Sequence, residues 1–103
     1  MIKLISSQRY IDEATVAQKI EKKDFTVLLS PVFVIDGQEY QAVMDGHHSY
    51  HAALEAGVEP NYIIQTAQEN DKIALIKGNI DEFLEAAWVD SNWYEIETGI
   101  NIF

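Results

Sequence analysis

A β-forming run with a forced interruption does most to limit the folds open to this chain. Phe25 to Ile35 reads F-T-V-L-L-S-P-V-F-V-I, rich in the β-branched and aromatic residues that suit a pleated, half-buried surface. Pro31 has no N–H to donate to a ladder, so it marks a break or an edge inside the run. Asp36-Gly37 then supplies a hairpin turn. Glu39 to Met44 reads as the return strand, with Tyr40, Ala42 and Met44 on one face and Gln41 and Val43 on the other. That strand runs into Asp45-Gly46-His47-His48-Ser49 and a short helix closed by Gly57. Asp45 or Gly46 is the expected N-cap, and Tyr50, Ala53 and Leu54 the expected buried stripe.

The flanks read as follows. Ile2 to Ile5 is a short first strand. Asp12 caps a helix over 12–23, with Val16, Ala17 and Ile20 at helical spacing and Lys22 and Lys23 in the last turn, where positive charge suits the macrodipole. Asn61 to Thr66 is a further strand. Thr66-Ala67-Gln68-Glu69 has capping-box form and opens a weak helical pattern that ends at Gly78. Asn79 caps the strongest helix, in which Ile80, Phe83, Leu84, Ala87 and Trp88 share one face. From Trp93 to Phe103 the chain alternates in two pieces around Thr98-Gly99, as a strand pair or as an arm that docks on a partner; Trp93, Tyr94 and Phe103 suit either reading. The order β, α, β, β, α, β, then helices, predicts one mixed α/β (α+β) domain over 1–103 with a small mixed sheet.

The chain's 103 residues suffice for one core. The absence of cysteine excludes disulfide scaffolds, cysteine–zinc sites and thiol chemistry. No apolar run approaches a membrane span, and Met1 to Ile5 is too short for a signal-peptide core, so the expectation is a cytoplasmic protein without a membrane partner. Net charge is −10. Residues 24–103 carry fourteen acids against Lys72 and Lys77 alone. Such a body repels phosphate backbones, so direct non-specific DNA binding is not expected, and a basic protein partner or a metal suits the surface better.

The segment Asp45 to Ser49 holds the chemistry. A helix N-terminus presents unpaired N–H groups and a partial positive charge, Gly46 permits close approach, and His47, His48 and Ser49 add donors. Together they suit an anion, most naturally phosphate. From the residues alone the commoner reading is structural: Asp45 as cap, Gly46 as turn, and the histidines as surface or satisfied residues. His47 and His51 stand one helical turn apart with Asp45 just before them, so Asp45, His47 and His51 are the candidate metal ligands. A histidine here also suits general acid–base work near neutral pH. No G-x-S-x-G elbow is present, and H-x-x-x-H lacks the glutamate of a metalloprotease helix.

The run Leu28-Leu29-Ser30-Pro31-Val32-Phe33-Val34 resembles the L-L-x-P-I-x-V element of the ParB/sulfiredoxin superfamily's N-terminal domain, the ParB-like nuclease domain. Glu39 to Gly57 resembles its next element, a strand running into G-E-R-R-x-x-A-A in ParB and G-C-H-R-Y in sulfiredoxin, then a helix and A-G. Val58 to Ile64 is similar to the strand after it. The likeness covers about 25–66, with the helix and tail of 79–103 beyond it. It implies a small α/β fold whose glycine turn holds CTP, ATP or ADP, with Mg²⁺ or Mn²⁺. The activities it implies are nucleotide hydrolysis, phosphoryl transfer or nuclease-type cleavage. Gly46 matches the motif glycine, His47 stands where ParB has glutamate and sulfiredoxin its reactive cysteine, and His48 stands at the first ParB arginine and the sulfiredoxin histidine. Ser49 stands at the next arginine, and Ser30 and Pro31 in the other phosphate-facing element.

The resemblance thus implies phosphate or nucleotide binding by Gly46, His47, His48, Ser49, Ser30 and Pro31, with His47, His48 and Asp45 as the catalytic set. Sulfiredoxin chemistry is excluded by the missing cysteine. The chain's single arginine, Arg9, lies far from the motif in sequence, so Lys3 or Arg9 would have to swing in, or a metal substitute, to clamp a triphosphate. The alternative is a catalytically decayed, acidic protein-binding module. Such a protein would be an accessory or inhibitor from a mobile element, or a mimic of nucleic-acid charge. A tail-mediated homo-oligomer is a third reading.

Overall fold

A computed structural model describes residues 1–102. Among these residues, six strands form one mixed sheet: β1 (Lys3–Ser6), β2 (Thr26–Leu29), β3 (Phe33–Ile35), β4 (Gln38–Asp45), β5 (Asn61–Ile64) and β6 (Tyr94–Glu95). The helices are α1 (Glu13–Lys22), α2 (His47–Ala56), α3 (Leu75–Gly78) and α4 (Ile80–Ala86), with a 3-10 turn at Asp71–Ala74. The sheet order is β5-β2-β4-β1-β6, and β3 also pairs with β4. This is the mixed α/β architecture that the alternation of elements predicts.

β4 is the axis. Its first half pairs with β1 (parallel) and β3 (antiparallel), and its second half with β2 (antiparallel). β2 and β3 therefore lie along one side of β4, interrupted at Ser30-Pro31-Val32 as the proline requires. Ser30 carries the ladder across that gap. Its N–H donates to the Ala42 carbonyl and its hydroxyl accepts from the Ala42 N–H, both at 2.9 Å. The Ser30 hydroxyl donates to the Pro31 carbonyl, and the Gln41 amide donates to the Ser30 carbonyl. A buried serine thus replaces the pairing that proline removes.

Both faces of β4 are covered, as its alternation predicts. Tyr40 and Ala42 enter a cluster with Ile5, Phe33, Ile73, Phe83, Leu84 and Trp93, with Met44 packed against it. Val43 enters a second cluster with Val27, Leu29 and Tyr50. α1 starts at its expected cap: the Asp12 carboxylate accepts from the Ala14 N–H and the Thr15 hydroxyl. Asn79 caps α4 through the Asp81 and Glu82 N–H groups. Thr66 and Glu69 form the expected side-chain pair.

Three expectations need correction. α4 ends at Ala86, so Trp88 does not finish its apolar face and is 54% exposed. Trp93 fills the core instead, its indole N–H donating to the Leu84 carbonyl. Leu54 is 56% exposed rather than buried; the inner side of α2 carries His47, Ser49, Tyr50, Ala52 and Ala53. Arg9 does not swing toward the motif. Its guanidinium lies 3.9 Å from the Tyr94 ring centroid and donates to the Gly99 carbonyl and the Asn101 side chain. After Trp93 the described chain folds back on itself through the two-residue β6 and a single bridge from Tyr94 to Asn101, so strand pairing between its two arms is one residue pair long. Phe103 lies outside the described residues.

Gly46 is the most closely packed of the glycines. Its φ is +91°, and a Cβ there would stand 2.4 Å from the Thr26 carbonyl oxygen and 2.9 Å from the Val27 Cα. Gly57, at φ +70°, has open space around it. Gly57→Ala should therefore lose only the left-handed conformational term, about 1–2 kcal/mol. Gly46→Ala adds a backbone clash and should lose about 3 kcal/mol or more. Urea denaturation of the two variants checks this; equal losses would show that β2 yields easily.

Candidate functional site

α2 begins where β4 ends, and the turn between them gathers the motif. Gly46 is the N-cap, with no side-chain cap hydrogen bond and no acid in the first helical turn. Asp45 accepts from the Gly46 N–H at 2.7 Å, so it braces the turn ahead of the helix. At three other starts Asp12, Asn70 and Asn79 each accept from the N–H groups of the element they open, whereas Ala74 ahead of α3 offers no side-chain cap. The first N–H groups of α2 are thus left open, at the positive end of a ten-residue helix.

Beside this helix start lies a cleft of about 190 Å³, lined by Lys19, Asp24, Thr26, Leu28, Asp45, Gly46 and Ser49. Lys19 is the nearby cation, in place of the Lys3 or Arg9 expected from sequence. Lys3 is paired with Glu95 at 3.4 Å. Lys19 donates to Asp24 at 2.9 Å. That bond, helped by the Thr26 N–H, holds the Asp24 carboxyl below its ordinary range. Sequence reasoning missed Lys19, Asp24 and Thr26. Lys19 carries no signal beyond helix-end charge, and only the packing of α1 on α2 brings it here.

The three histidines turn away from this cleft. His48 Nε2 accepts from the Asp12 N–H at 3.0 Å, so it ties the start of α1 to the first turn of α2. His47 is only 3% exposed, and neither ring nitrogen has a hydrogen-bond partner. Its ring meets His51 edge-on at 4.8 Å between centroids. Burial, then the His51 and His48 charges, push the His47 pKa down to about 4, against an opposing pull from Asp90. Burial and His48 lower His51 as well. His47 is therefore a neutral imidazole at pH 7, closed to solvent.

Of the residues named from sequence, the structure brings Asp45, Gly46 and Ser49 to one cleft. Ser30 is spent on the strand break, and Pro31 lines a different groove with Ile64 and Ile73. Among the described residues no group of three or more His, Asp or Glu converges to hold a metal, so Asp45, His47 and His51 do not form a ready ligand set. No described helix is long and apolar enough to cross a membrane. Comparison of the chain with protein-family models, curated proteins and solved structures finds no match.

His47 makes stability pH-dependent. In the unfolded chain it takes up a proton near pH 6.5, and in the folded chain only near pH 4. Between those values the unfolded state binds more protons. The contribution is complete above about pH 6.5, falls as the pH drops, and is gone below about pH 4, a loss of roughly 3 kcal/mol. His47→Leu removes the titrating ring and should flatten the stability curve in this window. Urea denaturation at stepped pH checks it, and parallel wild-type and variant curves would refute it.

Proposed function

We propose that the protein binds the phosphate group of a small ligand, a nucleotide among them, at the N-terminus of α2. The observation that carries this reading is the uncapped helix start opening beside Lys19 and Ser49. Unpaired N–H groups and the helix dipole favour an anion there, and Lys19 adds a full charge. The likeness of Asp45 to Tyr50 to the ParB/sulfiredoxin motif points the same way. Size limits what enters. Pockets that enclose a whole small molecule run roughly 300–1,000 Å³. A cleft of about 190 Å³ takes a phosphoryl group and leaves a base and sugar outside.

Asp24 and Asp45 set the conditions for binding. Both line the cleft, so a bare phosphate meets repulsion as well as attraction. Magnesium sites commonly use one or two carboxylates with the ligand's own phosphate oxygens, which this pair fits. Asp24 and Asp45 would hold a Mg²⁺ or Mn²⁺ carried by the ligand, and the ion would neutralise phosphate charge. His47 and His48 have no catalytic part in this reading: one is sealed and the other is committed to Asp12. The reading is of a binding site.

Amide NMR titration with inorganic phosphate, ATP and CTP, each with and without Mg²⁺, tests it. All three should shift the His47, His48 and Ser49 amides at saturation, with little difference between bases. Lys19→Ala should weaken binding about tenfold by removing a charge-assisted contact. Asp24→Asn frees Lys19 and removes a like charge, so it should tighten binding several-fold without added metal. No saturable shift at millimolar ligand would end the proposal.

A further inference from the structure

We infer that the outer edge of β5 is a docking site for an extended, lysine- or arginine-bearing segment of another protein, which adds as a further strand. Among the described residues β5 ends the sheet and pairs only with β2. The Asn61 and Gln65 N–H groups bond to the Phe25 and Leu29 carbonyls. The alternation of a parallel ladder then turns the N–H and C=O groups of Tyr62 and Ile64 outward, a template for one more strand.

The side chains fit the same use. Sheet edges are commonly guarded by charged residues or proline. Asn61-Tyr62-Ile63-Ile64 has neither, and Tyr62, Ile63 and Ile64 are 40%, 43% and 55% exposed. At the far end of β5 an apolar groove of about 510 Å³ continues the surface, between Pro31, Ile64, Ala67, Ile73, Ala74 and Lys77. A strand laid along β5 would set one side chain into it.

Charge selects the occupant. Glu59 is exposed two residues ahead of β5, and residues 24–103 carry fourteen acids against two lysines, so the near end of the edge is acidic. Lys77 marks the far end. A second copy would bring another chain of net charge −10 and face these carboxylates with their own kind. A segment with alternating apolar and basic residues meets both the apolar edge and the acidic rim. It leaves the α2 cleft untouched, because no β5 residue lines it.

The probe is a synthetic heptapeptide of alternating lysine and valine, titrated into the labelled full chain, with the glutamate–valine counterpart as control. The lysine peptide should give saturable shifts and slowed hydrogen exchange at the Tyr62 and Ile64 amides, and the glutamate peptide should bind about tenfold more weakly or less. Ile64→Lys, at an exposed position, should cut affinity about tenfold or more while the rest of the spectrum stays unchanged. Tyr62→Lys serves as the second variant. Shifts confined to other acidic surfaces, equal binding of the two peptides, or no binding at millimolar peptide would each overturn the proposal. So would self-association of the peptide-free chain that Ile64→Lys abolishes, because the occupant would then be a second copy.

Discussion

The contact between Gly46 and β2 is the constraint on which the rest of the molecule depends. No side chain fits between the turn and the Thr26 carbonyl, so the start of α2 sits directly on the strand backbone. That closeness leaves the first N–H groups of α2 open beside Lys19. It also drives His47 into the interior and places His48 where the α1 cap can reach it. A glycine read from sequence as room for a ligand is, in the structure, room for a neighbouring strand. The cleft is a by-product of that packing.

Local rules recovered the architecture well, because the signals were local. Pro31 announced the strand break, Asp36-Gly37 the hairpin, and Asp12 and Asn79 their helices. The alternation of Tyr40, Ala42 and Met44 against Gln41 and Val43 showed that β4 has two working faces. Failures came where two stretches of sequence compete for one place. Trp88 and Trp93 both suit the core, and nothing nearby says that Trp93 wins by reaching the Leu84 carbonyl. Leu54 belongs to an apolar stripe by spacing, yet α2 presents its inner side at a different angle. The turn from β4 into α2 falls where the sequence puts it, but the directions of the side chains around it depend on α1, which sequence spacing does not link to α2.

Charge in this chain is more committed than its composition suggests. A net charge of −10 invites a picture of scattered, solvated acids with a few free cations. Three of the bases are tied: Lys3 to Glu95, Lys19 to Asp24, and Arg9 to the Tyr94 ring and the 99–101 turn. Exposed ion pairs of this kind each contribute little to stability. Their effect is to decide which cation faces which surface. Lys19 is left beside the uncapped start of α2.

The clasp between Arg9 and the 94–101 hairpin has a consequence for how the chain is made. β1 lies between β4 and β6, so a strand translated among the first residues waits for one translated among the last described. Trp93 and the Tyr94 hydroxyl, which donates to the Gln8 carbonyl, arrive equally late. Pairings so distant along the chain form slowly, because a long loop must close before any contact offsets its entropy. On the ribosome, β2, β3 and β5 have their strand partners within the region from β2 to β5, Thr26 pairing no further along than Asn61, and so are supplied earlier. The first core closes only when the segment around residue 101 has emerged.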